Sequence, residues 1–328
     1  MRIAAKHSVW GIAIVALSAC GGGGSDSAAP PNLVEITSNN AQAIAGAVLL
    51  SSFEGSDLGS FASFAPASGT VTSTKTTALY AKVGSLQKAE TRSLMKQSQQ
   101  GFMQAPVGPV TADCDVAGTV TTSGTLASST TLSAGDQITL SFSDCDDGTT
   151  VVNGVFSMRI ASLTGDLVSG MFTLGIDVTL TAFQVLEAGE TVTANGGVSF
   201  TTDTTSSPTI TTTITTDSLT VTGGGASNTL LDYLMTQVVS DVTSEYSLEA
   251  SGTLTSSAFS GSVSFETQVA LQGTGTDFAV SGELLITGAN GATIHVIVLD
   301  GVSVRLEVDL DGDAETDEIV DATWADLT

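Results

Sequence analysis

The sequence is poor in the side chains that most enzymes use for catalysis. Its 328 residues include two His, three Cys and two Trp. His7 lies in an N-terminal segment that we expect to be cleaved, so His295 is the only imidazole predicted for the mature chain. A Ser–His–Asp hydrolase would have to use His295, and the sequence has no Gly-x-Ser-x-Gly segment. Zinc chemistry of the His-Glu-x-x-His type needs two His and is excluded because only one is predicted for the mature chain.

Other enzyme classes find little support. The sequence contains no Gly-x-x-x-x-Gly-Lys phosphate loop. Trp324 is the only Trp outside the N-terminal segment, which leaves little aromatic surface on which a sugar ring could stack. A pair of glycosidase carboxylates is recognised by geometry alone, so that alternative stays open. We therefore predict a protein that is not an enzyme, with a hydrolase as the remaining alternative.

Basic side chains are also scarce. Nine Lys and Arg stand against 34 Asp and Glu, and the net charge is −25. Such an acidic surface repels phosphate backbones, which excludes nucleic acid as a partner. Five of the nine bases fall in one short segment: Lys75, Lys82, Lys88, Arg92 and Lys96.

The N-terminus carries an export signal. Arg2 and Lys6 precede a short apolar stretch over residues 9–16, which is too short to span a bilayer that needs roughly 20 residues. The stretch ends in Leu17-Ser18-Ala19-Cys20, which resembles the lipobox of bacterial, Gram-negative lipoproteins. The resemblance implies that residues 1–19 are a signal peptide and that Cys20 carries acyl chains such as palmitate. Since Gly21 replaces the Asp that retains such proteins at the inner membrane, it also implies an outer-membrane location.

The composition then divides the chain into three further parts. Residues 20–32 form a Gly-, Ser- and Pro-rich tether. Residues 33–108 are predicted to be helical or irregular, and residues 109–328 to form an antiparallel β domain. Within the second part, residues 39–50 suit a short helix, with an Asn available as N-cap. A second helix is predicted over residues 77–97.

The predicted second helix has two distinct faces. Leu79, Val83 and Leu86 share one face, whereas the other bears a basic stripe at i, i+4 and i+8, made of Lys88, Arg92 and Lys96. The stripe could touch anionic lipid or an acidic partner. It could equally be solvated or rest on the acidic surface of the protein itself.

From residue 110 onward the apolar residues recur with a period of two, which predicts strands. Turns are expected at Asp147-Gly148, Asn195-Gly196-Gly197, Gly223-Gly224-Gly225 and Asn290-Gly291. The pattern is interrupted over residues 228–242, where the spacing of Leu231, Leu234, Val238 and Val242 predicts one amphipathic helix. His295 falls out of phase with the apolar residues of a strand over 293–299, so we predict a strand-face residue.

The fold class predicted from these patterns is mainly β. We expect a large antiparallel meander sheet, curled into a barrel, half-barrel or sandwich, with short N-terminal helical segments. A transmembrane barrel is a competitor, but the low aromatic content and the lipobox argue against it. Cys114 and Cys145 are expected to form a disulfide, because export places them in an oxidising compartment.

An acidic segment near the C-terminus is a candidate calcium site. It runs Asp309-Leu310-Asp311-Gly312-Asp313-Ala314-Glu315-Thr316-Asp317 and resembles the nine-residue calcium loops in hairpins of integrin-type propellers. The resemblance implies side-chain ligands at Asp309, Asp311, Asp313 and Asp317 and a backbone ligand at Glu315. Ala314 departs from it, because the sharp turn favours Gly at that position. The alternative is a solvated hairpin tip.

Two non-enzymatic functions follow from these expectations. The first is a lipid-anchored outer-membrane lipoprotein that acts as a structural or protein-interaction module at the cell envelope. The second is a barrel or half-barrel that carries a hydrophobic ligand in an apolar cavity. The small residues on the apolar faces indicate close packing rather than a roomy cavity, which favours the first.

Overall fold

The computed structural model describes residues 32–63, 79, 82–86, 107–126, 133–167, 169–275 and 277–327, with only the backbone described for residues 53–63 and 107. The predicted signal peptide and Cys20 lie outside these residues. The described elements are helix α1 (Ala41–Ser63), strands β1 (Val107–Asp113), β2 (Ala117–Thr125), β3 (Gln137–Asp146), β4 (Thr150–Asp166), β5 (Met171–Glu187), β6 (Glu190–Asp203), β7 (Thr209–Gly223), β8 (Ala226–Ser240), β9 (Glu245–Ser256), β10 (Gly261–Thr274), β11 (Ser281–Thr287), β12 (Thr293–Val298), β13 (Ser303–Asp309) and β14 (Glu318–Thr323), and helix α2 (Trp324–Leu327).

The strands form one sheet in sequence order, in which each strand pairs antiparallel with the next. The predicted mainly β fold and antiparallel meander are therefore confirmed. Within the described residues no ladder joins β1 to β14, so the sheet is open and a closed barrel is not confirmed.

One face of the sheet is apolar and buried. Along β5, for example, Leu174, Ile176 and Val178 are buried. Helix α1 packs against β6 to β9, β12 and β13. The helix is rich in Ala and Gly because it approaches its neighbours closely: a Cβ at Gly46 would collide with the backbone oxygen of Leu327 in α2. This close approach buries Ile44, among other residues of α1.

The chain before α1 is fastened to the sheet by backbone hydrogen bonds. Leu33 forms a parallel bridge with Ser262 at the start of β10. The Val34 N–H donates to the Ser262 oxygen at 2.9 Å, and the Ala289 N–H donates to the Val34 oxygen at 2.8 Å. The segment thus joins the beginning of β10 to the turn between β11 and β12.

The predicted helix over residues 39–50 is confirmed, and it continues to Ser63. The side chain of Asn40 does not cap it, because its Oδ1 accepts the N–H of Thr37 at 2.8 Å. No helix among the described residues combines the length and the apolar composition needed to cross a membrane.

Part of the second predicted helix falls within the described residues. Leu79 and residues 82–86 are helical, and Leu79 and Val83 are buried against the sheet. The apolar face predicted for this helix is therefore in the core. Its basic stripe lies outside the described residues.

The helix predicted over residues 228–242 is wrong, because the structure forms β8 there. A bulge in the β8–β9 ladder lies between Leu231 and Leu234, where Asp232 has a φ of 48°. Before the bulge Leu230, at an even position, packs against the core. After the bulge the buried residues are at odd positions, beginning with Tyr233. This change of phase inside a strand produced the three- and four-residue spacing that imitates a helix.

The turn predicted at Asn195-Gly196-Gly197 is also wrong, because these residues lie inside β6. Both ladders of β6 shift register beside them, and Asn195 Oδ1 accepts the N–H of Ala182 across the sheet at 2.7 Å. The Asn-Gly pair therefore marks a bulge. The other three predicted turns do connect strands.

The predicted disulfide is confirmed. Cys114 follows β1 and Cys145 lies in β3, with their Cα atoms 5.4 Å apart and a sequence separation of 31. Closing a loop of this length stabilises the folded state by about 3 to 4 kcal/mol in the chain-entropy model. The bond ties the N-terminal edge of the sheet to its third strand.

An ion pair holds the helical segment 82–86 to the sheet. Lys82 Nζ lies 2.7 Å from Asp147 Oδ2 in the turn between β3 and β4. The Lys82 ammonium lowers the pKa of the Asp147 carboxyl well below its ordinary value, helped by the Thr149 hydroxyl and by backbone N–H groups, while burial opposes the shift. The carboxylate is therefore ionised whenever the protein is folded at neutral pH.

Replacing Lys82 with Met should lower the free energy of unfolding by about 1 kcal/mol at neutral pH, because the pair is partly exposed and screened. A lowered pKa contributes stability above the pKa of the unfolded chain, and this contribution is lost as the pH falls. The difference from wild type should therefore shrink below about pH 4. Urea titrations at pH 7 and pH 3 would measure this difference. The control is Arg305→Met, which removes the more exposed ion pair with Asp321 and should lower the free energy of unfolding by less. A difference that grows at pH 3 would contradict the assignment.

Candidate functional site

The acidic loop over residues 309–317 connects β13 to β14. β13 ends at Asp309 and β14 begins at Glu318, so the loop spans the predicted calcium segment. The Asp309 side chain is buried, with 7% of the residue exposed, whereas Asp311 and Asp317 are exposed. The loop thus places one inner carboxylate beneath two outer ones.

The structure brings three of the predicted ligands together. Asp309, Asp311 and Asp317 each offer a carboxylate oxygen, and these oxygens lie within 4.8 Å of one another. Calcium binds oxygen at about 2.3 to 2.6 Å, so two oxygens of one coordination shell are at most about 5 Å apart. The three aspartates could therefore hold a metal ion.

Backbone N–H groups hold the Asp309 carboxylate in place. Its Oδ1 accepts the N–H of Gly312 at 2.7 Å and its Oδ2 accepts the N–H of Ala314 at 2.8 Å. Burial opposes ionisation of this carboxyl, but the backbone hydrogen bonds outweigh burial and lower its pKa below the ordinary value. The buried carboxylate is therefore charged and already oriented.

The two outer carboxylates are also oriented by the loop. Asp317 Oδ2 accepts the N–H of Leu310 at 2.8 Å, and Asp311 Oδ1 accepts the N–H of Asp313 at 3.2 Å. The first bond joins the two ends of the loop. Three like charges within one loop repel one another, and a bound cation would remove that repulsion.

One of the predicted side-chain ligands does not join the cluster. Asp313 is absent from the group of converging carboxylates, and its Oδ1 accepts the N–H of Glu315 at 2.8 Å. Glu315 lines a neighbouring groove, and the ligand role predicted for its backbone carbonyl stays a prediction. The structure thus supports a smaller set of side-chain ligands than the loop resemblance implied.

The sharp bend of the loop depends on Gly312 and Ala314. Gly312 has a φ of 79°, and a Cβ there would lie 2.5 Å from the backbone oxygen of Asn290 in the turn between β11 and β12. Ala314 has a φ of 68°, a left-handed conformation that costs an L-residue about 1 to 2 kcal/mol. The loop therefore folds back onto the neighbouring hairpin, at some cost in backbone strain.

An open groove with a volume of about 520 Å³ lies beside the loop, on the polar face of the sheet. Its lining includes Glu283, His295, Glu307, Asp309 and Glu315. Four of these five side chains are carboxylates. The groove is therefore suited to cationic groups rather than to anions.

His295 lies on the polar face, as predicted. Its Nε2 is 3.0 Å from Glu283 Oε2, and Glu307 is its register partner on β13. Among the described hydrogen bonds none joins His295 to a Ser or Cys. Sequence reasoning missed the pairing with Glu283, although the Asn290-Gly291 turn fixes the register that makes the two residues diagonal neighbours across β11 and β12.

Comparison of the chain with models of protein families, with curated proteins and with solved structures found no match in any of the three. The geometry of the site is therefore the guide to its chemistry. Converging, oriented aspartate oxygens suit a hard cation that accepts oxygen ligands.

Replacing Ala314 with Gly should raise the free energy of unfolding by about 0.5 to 1 kcal/mol, because relief of the left-handed strain exceeds the entropy that Gly loses on folding. The matched control is Ala322→Gly in the extended strand β14, which should lower it by about the same amount. Urea denaturation of the two variants and the wild type in chelator would measure both changes. A lower stability of Ala314→Gly would show that the loop does not adopt this conformation.

Proposed function

We propose that the protein is a lipid-anchored outer-membrane protein whose β domain acts without catalysis, as a structural or protein-interaction module of the cell envelope. The observation that carries this proposal is the cover over the apolar face of the sheet. Helix α1, Leu79 and Val83 occupy that face. What remains for contact with other molecules is the polar face, the loops and the edges of the sheet.

The second candidate function, transport of a hydrophobic ligand, would need that cover to move. A small apolar cavity lies between Leu79 and Val83 on one side and strands β5 to β7 on the other. Its volume of about 10 Å³ is at the lower limit for a single water molecule. A lipid chain could enter only after Leu79 and Val83 had left the sheet, so the packing favours the interaction module.

The lipid anchor is the part of the proposal that the N-terminal sequence supports. Leu17-Ser18-Ala19-Cys20 has the lipobox pattern, and the tether that follows would hold the β domain away from the bilayer. Several acyl chains on one residue give stable membrane attachment, since each buried methylene contributes about 0.8 kcal/mol. The domain would face the periplasm or the cell surface.

The loop between β13 and β14 adds a calcium site to this proposal. Asp309, Asp311 and Asp317 supply three oxygens, and calcium accepts six to eight at flexible angles, so backbone carbonyls and water would complete the shell. We assign the ion a structural role. It would neutralise the clustered charges and fix the hairpin that leads into β14 and Trp324.

The anchor can be tested by metabolic labelling with radioactive palmitate. The wild type should incorporate the label at Cys20 and sediment with outer membranes, whereas Cys20→Ser should be unlabelled and keep its first 19 residues. A variant with both Cys114→Ser and Cys145→Ser is the matched control and should still be labelled. Label in Cys20→Ser, or an unlabelled wild type, would refute the anchor.

Calcium at about 10 mM should raise the melting temperature of the wild type by a few degrees, because a ligand at 100 times its Kd stabilises the folded state by about 2.7 kcal/mol. Asp311→Asn should abolish the rise, since Asp311 belongs to the converging cluster. Asp313→Asn is the matched control and should retain it. Calorimetry with calcium, magnesium or chelator would measure the shift, and identical curves for the wild type in calcium and in chelator would leave a solvated hairpin tip.

A further inference from the structure

The outer edge of β14 presents backbone groups that no described strand uses. β14 pairs with β13 on its other side, through register pairs that end at Ser303 and Thr323. The Trp324 N–H donates to the Val302 oxygen at 3.0 Å, just beyond that last pair. Because hydrogen bonding alternates along an antiparallel ladder, this bond fixes which residues of β14 point away from β13.

In β14 the backbone N–H and C=O groups of the odd-numbered residues point away from β13. The Thr323 N–H is already taken, because it donates to Asp326 Oδ2 at 2.8 Å. Ile319 and Asp321 therefore each direct one N–H and one C=O to the open side of the sheet. These four groups match the spacing of an added antiparallel strand.

The opposite edge of the sheet is blunted, in contrast to β14. β1 contains Pro109, which lacks an N–H, and its ladder with β2 shifts register between Val107 and Val110. Proline and bulges are the devices by which sheets prevent further pairing at an edge. β14 has neither, and its ladder with β13 is regular from Val308 to Ser303.

The side chains around β14 define the charge of a suitable partner. A row of register partners on the polar face runs from His295 through Glu307 to Ile319, which is 56% exposed. Glu318 and Asp321 lie on the edge strand itself, and Arg305 forms an ion pair with Asp321. A second copy of this chain would bring the same carboxylates together, and like charges placed opposite one another oppose pairing.

We propose that β14 is a docking edge for an extended, basic segment of a partner protein, which adds to the sheet as a fifteenth strand. This inference rests on the proposed interaction function and names the surface and the chemistry of the partner. The four outward groups of Ile319 and Asp321 give backbone hydrogen bonds. Lysine or arginine side chains of the partner lie on the polar face, beside Glu307 and Ile319, and its alternate apolar side chains lie on the other face beside Val320.

The probe is a fluorescent eight-residue peptide of alternating Lys and Val, titrated with the purified full chain and followed by anisotropy. The Lys–Val peptide should bind, and a Glu–Val peptide of the same length should bind at least about tenfold more weakly. A Lys–Val peptide N-methylated at alternate residues keeps its charge and loses its edge donors, so it should also bind at least about tenfold more weakly.

The matched pair of protein variants is Ile319→Pro and Ile319→Ala. Proline removes the outward N–H of residue 319 and leaves the bonds to β13 intact, because that N–H faces away from β13. Ile319→Pro should weaken binding about tenfold or more, and Ile319→Ala, which keeps the N–H, about threefold or less. The methylated peptide tests the same bonds without altering the protein, so the test survives even if Ile319→Pro unfolds.

Four results would overturn the inference. The methylated peptide could bind as tightly as the parent, which would show that charge alone is responsible. The Glu–Val peptide could bind equally well, or sedimentation could show that the edge is closed by a second copy. Absence of peptide binding would overturn it as well. The palmitate experiment measures the anchor without any peptide, so the failure of the docking edge is distinct from the failure of the proposed function.

Discussion

The cover over the apolar face is the constraint on which the rest of the structure depends. A single sheet of fourteen strands has one apolar face, and among the described residues α1, Leu79 and Val83 pack there. The helix meets α2 across Gly46 without a side chain between them. Because this face is filled, the partner that we propose would contact the polar face or the last strands.

Much of the fold could be predicted from alternation alone. The strand predicted over residues 293–299 differs from β12 by one residue, because β12 runs without a bulge. β8 was mistaken for a helix because Asp232 inserts a residue and reverses the phase of burial. A bulge depends on the neighbouring strand as much as on its own sequence, so a single pattern does not reveal it.

The candidate site could be predicted in part. Closely spaced aspartates indicated the loop, but spacing alone does not determine which carboxylates face one another. Asp313 is turned to the N–H of Glu315, while Asp317 is brought in by its bond to the N–H of Leu310. The pairing of His295 with Glu283 joins two strands, and it becomes visible only when the register is known.

The hydrogen bonds of Leu33 and Val34 to the sheet have a mechanical consequence. A pull on the chain from its N-terminal side first loads the bonds to Ser262 and Ala289, which lie at the start of β10 and beyond β11. Tension is thereby delivered to interior strands, which have neighbours on both sides, and the unpaired edges at β1 and β14 are spared. The strand that we propose to receive a partner would thus keep its register under a pull through the proposed tether.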